Sequence, residues 1–176
     1  MFSDVDHKIK QKHKILFTKD SICLNNLIHL MDNQSHRVLV LWALNAAKEP
    51  LEILKSTYRN ENRPLLCIEK SDSWAKGEIP MKIAKKAILD VHHMAKEIHD
   101  EEMIALCHAI GHAGATVHVI THAIGFVIYE LTAIVLRNHK ENYQEAITRK
   151  IEEYETNLKY WMNHEDIQMR KWAKFL

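Results

Sequence analysis

From Met103 to Tyr129 the chain carries no Asp, Glu, Lys or Arg, yet it holds four histidines, His108, His112, His118 and His122. They fall as two i, i+4 pairs among small residues, MIALCHAIGHAGATVHVITHAIGFVIY, where Cys107, Thr116 and Thr121 supply the remaining side-chain polarity. Residues four apart share a helix face, so each pair projects together wherever the helix is regular. Such a run is either the buried centre of a helical protein or a functional histidine cluster. That choice largely decides what the protein is.

The run is also long enough to cross a bilayer. Four imidazoles and the glycines Gly111, Gly114 and Gly125 make it a poor lipid-facing helix, because polar rings in hydrocarbon are costly. No basic cluster on one flank sets an orientation. The opening MFSDVDHKIKQK lacks the apolar core and small-residue cleavage site of a secretory leader. A cytoplasmic protein with no membrane span is therefore expected. Lys plus Arg (24) nearly balances Asp plus Glu (23), which gives no general attraction for nucleic acid or an anionic membrane. The three cysteines, Cys23, Cys67 and Cys107, are odd in number and form no CxxC, arguing against a disulfide framework or a cysteine zinc site.

Four Gly and three Pro in 176 residues point to helix. The pattern predicts an all-α, single-domain bundle of about seven helices over 1–176, with central helices at about 36–58 and 101–137. Residues 1–34 read as an N-terminal extension, lysine-rich and frayed at its start, where Asp20 or Ser21 caps a short helix to about Met31. Ser35 is the expected N-cap of the first central helix, whose apolar run Val38–Leu44 implies burial on most sides. Pro50 predicts a kink or break near Glu49. Pro64 opens the next helix and Gly77 closes it. Pro80 opens another, with Ile83, Ala87, Val91 and Met94 at helical spacing. Asp100 caps the histidine-bearing helix, and Thr121 caps its successor. The β-branched TVHVITH run at 116–122 has no partner strand and reads as a helix junction. The tail, 138–176, is amphipathic, with Ile147, Ile151, Tyr154, Leu158 and Trp161 facing inward.

Two readings of the histidines stay open at this point. Convergence of His108, His112, His118 and His122 would suit one transition metal such as zinc, and with it a hydrolase-type enzyme. Against this, the chain has neither HExxH nor Glu-x-x-His. The alternative is a polar seam inside the core, each ring nitrogen bonded to a neighbour. His99-Asp100 is a bare dipeptide reminiscent of helical phosphohydrolases, with His92, His93 or His36 as upstream nominees and Asp166 downstream. Cys107 and His108 are sequence neighbours and point apart on a helix, so they form no catalytic dyad. The three glycines imply that another backbone packs close, either that of 36–58 or the same helix of a second copy in a homodimer.

The segments HRVLVLWALNAA (36–47), SWAKGEI (73–79) and GHAGATVHVITHAIGFVIYEL (111–131) together give a recognisable pattern. Over 35–137 the chain resembles a family of small all-helical bacterial proteins, the immunity proteins of polymorphic toxin systems. The matching positions are Trp74, Gly77, Glu78, His118, His122, Gly125 and Tyr129. The resemblance implies a non-catalytic role, binding a toxin effector and blocking it, with no catalytic residue, metal or cofactor carried over.

Overall fold

The computed structural model describes residues 1–164 and 166–176, and no strand occurs among them. Its helices are α1 (Ser3–Lys10), α2 (Asn25–Asp32, after a 3-10 turn at Ile22–Leu24), α3 (His36–Ala46), α4 (Lys48–Thr57), α5 (Arg63–Ala75), α6 (Met81–Glu97), α7 (Glu101–Ala115), α8 (His122–Arg137), α9 (Gln144–Met162) and the single turn α10 (Asp166–Met169). The seven from α3 to α9 are the long ones, and all have an amphipathic or wholly apolar face. The protein is all-α, as its composition requires.

Local chemistry sets most of the boundaries. Ser35 Oγ accepts from the Val38 N–H at 3.3 Å, and Asp100 accepts from the Met103 N–H at 3.1 Å, each satisfying an orphan donor of the first turn. Pro50 has no N–H to give to Ala46, so the helix breaks at Ala47 and restarts as α4. Gly77, at φ +73°, closes α5 with paired bonds, Gly77 N–H to Trp74 O and Glu78 N–H to Ser73 O. That is a Schellman closure, which favours glycine. Two expected caps differ. Thr121 precedes α8 but makes no capping bond, and Ser21 accepts from the Thr18 N–H in a turn instead.

The core forms where α3, α7, α8 and α9 meet. Trp42, Phe126 and Tyr154 pack edge to face with centroids 5.6–6.0 Å apart, and Trp42 Nε1 donates to the Tyr154 carbonyl. Beside them lies a buried ionic group. Glu130 Oε1 is 3.2 Å from Lys150 Nζ, and Tyr154 donates to Glu130 Oε2 at 2.6 Å. Burial opposes the Lys150 charge, but Glu130, Glu49 and Glu153 outweigh it and hold the amine protonated.

Both flanks join this body. Residues 1–19, expected to be solvated, place Val5, Leu16 and Phe17 in the core. The Leu16 N–H donates to Thr132 Oγ1, and Tyr143 donates to Asp6 at 2.5 Å. Apolar side chains spaced between the lysines outweigh the charge of the segment. At the other end the Ala173 N–H donates to Ala75 O, Phe175 packs on Trp74, and Arg170 pairs with Asp72.

Candidate functional site

The four histidines nominated from spacing do not come together as a set. His108 and His112, one turn apart on α7, share a face as predicted. His118 and His122 do not, because the 116–121 junction lies between α7 and α8 and breaks the helical phase. His118 is exposed and lies against Trp74, centroids 5.8 Å apart. The fourth ring of the cluster is instead His92, supplied by α6.

His92 Nδ1 lies 2.9 Å from His108 Nδ1, and His112 Nδ1 lies 2.9 Å from His122 Nδ1. Each contact needs one ring to donate and the other to accept. His92 also meets His112 edge to face at 6.0 Å. Tyr129, two turns along α8 from His122, stacks on His112 at 5.1 Å and on His108 at 5.0 Å. Four imidazoles and one phenol thus join α6, α7 and α8 in a half-buried seam.

Two of the glycines exist to make room for it. A Cβ at Gly111 would stand 2.5 Å from Cε1 and Nε2 of His92, and one at Gly125 would collide with Nδ1 of His112. Gly114 makes room in the same way for Ser71 and Cys67 of α5. The expectation of a close backbone from 36–58 or from a second copy is therefore corrected. Side chains of the same chain take up that space.

The electrostatics follow from enclosure. Burial, and then the charge neighbouring rings would carry, pulls His92 and His112 down to about 4. His108 and His122 are also lowered, chiefly by burial. Near neutrality all four are uncharged, and burial raises the Tyr129 phenol. Among the described residues no group of three or more His, Cys, Asp or Glu is placed to hold a metal ion. The nitrogens meet in pairs instead of aiming at one point.

The other nominees are scattered through the fold, and His93 is exposed on α6. His36 Nε2 bonds the Thr116 carbonyl at 2.6 Å, tying α3 to the junction. Asp100 is a helix cap, His99 is exposed, and the side chain of Asp166 lies outside the described residues. Cys107 is buried, and burial raises its thiol to about 12. Of the motif positions, Trp74, Gly77, Glu78 and His118 sit near the end of α5, while His122, Gly125 and Tyr129 belong to the seam. Sequence reasoning missed His92 as a member. The signal was present in Gly111, a helical glycine whose missing side chain needs an occupant.

No helix among the described residues is long and apolar enough to cross a membrane. No curated protein and no solved structure matches the chain. Residues 29–157 match one family description, and with most of its length and the helices from α3 to α8 inside that match, together with most of α9, the chain belongs to the family described as Imm-5 like putative immunity protein.

Proposed function

We propose that this chain binds a protein toxin and holds it inactive, with no chemistry of its own. The family match over 29–157 carries the reading. The histidine seam supports it as interior packing: glycines are shaped around the rings, the rings pair with one another, and all are neutral near pH 7. A near-balanced charge suits a mixed-polarity protein interface better than imitation of nucleic acid.

The test is survival of a host expressing the toxin encoded beside this gene, with and without this chain, followed by co-purification. Protection with a stoichiometric complex supports the proposal. Death despite abundant folded chain removes it. His112→Gln should keep protection while lowering thermal stability. Loss of protection in a folded His112→Gln variant, together with about one transition metal per purified chain, would turn the reading toward a hydrolase.

A further inference from the structure

Behind the seam, His108 and Tyr129 form one wall of a cavity of about 590 Å3, within the range of sites that enclose a ligand group. Ile98, Ile104 and Leu136 give it an apolar lining, and three lysines, Lys12, Lys14 and Lys140, stand around it against a single carboxylate, Glu101. Three separated stretches build it: the loop after α1, the start of α7, and the end of α8. In a chain with a formal net charge of +1, this is a local concentration of cations. Lys12 and Lys14 are exposed and in no ion pair among the described residues, while Lys140 has one long contact, 3.6 Å to Glu101.

The backbone adds an independent observation. α1 closes with Lys12 N–H to Ile9 O and His13 N–H to Lys8 O, and Lys12 sits at φ +57°. α8 closes with His139 N–H to Leu136 O and Lys140 N–H to Val135 O, at φ +52° and +62°. Glycine is the inexpensive residue in such left-handed positions, and a residue with a Cβ is strained there. Cations do complement helix C-termini, which explains the sign of the charge. It does not explain lysines held in the left-handed region at two helix ends that face one cavity. Strain of this kind gathers at binding sites.

We infer that this cavity is the docking point for the protein partner, taking an apolar side chain flanked by carboxylates that meet Lys12, Lys14 and Lys140. The inference rests on the reading above that the chain binds a protein. A side chain seated in a pocket inside a charged rim is the usual form of an interface hot spot, and the rim charges speed and orient encounter.

The probe is a capped tripeptide of aspartate, tryptophan and glutamate, titrated to millimolar concentration while the methyl resonances of Ile98, Ile104 and Leu136 are followed by NMR. Saturable shifts at these methyls are expected. Affinity should fall at least five-fold when alanine replaces the peptide tryptophan, and equally in Lys12→Gly/Lys140→Gly. That variant relieves backbone strain, so its melting temperature should hold or rise while binding falls, which separates lost charge from lost fold. Absence of localised shifts, or unchanged affinity in the glycine variant, overturns the docking point. Peptide binding by a chain that fails to protect against the toxin would remove the neutralising role and leave the docking point standing.

Discussion

A Cβ added at Gly111 would press on the ring of His92, so an ordinarily helpful change becomes a harmful one. Alanine in place of a helical glycine usually stabilises by roughly 1 kcal/mol. Here the ring must move, and overpacking of this kind costs about 1–3 kcal/mol. Gly111→Ala is therefore expected to lower stability in a urea titration. The same substitution made in a His92→Ala background should be neutral or stabilising. Equal losses in both backgrounds would show that His92 is not what the glycine accommodates. At this scale the sequence was partly legible. The cap residues Ser35 and Asp100 announce themselves because capping is local. The partner of Gly111 is nineteen positions away on another helix, and spacing alone carries no information about it. His118 fails for a related reason: i, i+4 reasoning holds only within unbroken helix, and the junction resets the phase.

At the level of elements, the seam makes the packing of α6, α7 and α8 sensitive to acid. His92 and His112 have folded values near 4, below the ordinary 6.5. Their contribution is complete above pH 6.5 and is lost as pH falls toward 4, because the unfolded chain takes up protons first. Allowing for partial exposure, the two rings together should cost roughly 2 kcal/mol between pH 7 and pH 5. Lys96 also faces His92 and His108 and opposes their protonation. Glu130 works in the other direction. Burial raises its carboxyl to about 7, so its contribution is present below its unfolded value and lost as pH rises through about 7. Comparing wild type with His92→Gln/His112→Gln at both pH values cancels the Glu130 effect. The variant should be weaker at pH 7 and should lose less on going to pH 5. An identical loss in both proteins would place the acid sensitivity elsewhere. The helices themselves were readable from Pro50, Pro64, Gly77 and Pro80, since these act on their own turn of backbone. The break fell at Ala47, ahead of the proline, because the clash is with the preceding turn.

Across the whole molecule, one buried lysine holds α9 against α8. Replacing Lys150 by Met leaves Glu130 with Tyr154 as its remaining buried partner, and stranding a buried charge costs about 3–5 kcal/mol. The loss should be larger at pH 8 than at pH 6, where Glu130 can accept a proton, and a small pH-independent loss would mean that Glu130 is satisfied otherwise. Composition gave no hint of this pair, because a lysine and a glutamate twenty positions apart are indistinguishable from surface charges until both are buried. The N-terminal segment differs from its expected solvated state for a similar reason: the lysines of 1–19 mask the few apolar residues that dock, whereas the amphipathic spacing of Ile147, Ile151, Tyr154 and Leu158 showed the buried face of the tail. The uncharged run, doubled back at 116–121, also has a consequence for the order of events in time. α6, α7 and α8 are consecutive and pack on one another, so their contacts close short loops, whereas Tyr143 to Asp6 and Arg37 to Leu176 join distant parts of the chain. Short closures are made early. Destabilising changes in the hairpin, such as Gly125→Ala, should slow refolding in stopped-flow measurements, while Tyr143→Phe should chiefly quicken unfolding. The stretch that looked most like a membrane anchor would then be the part of the chain that commits first to its own interior.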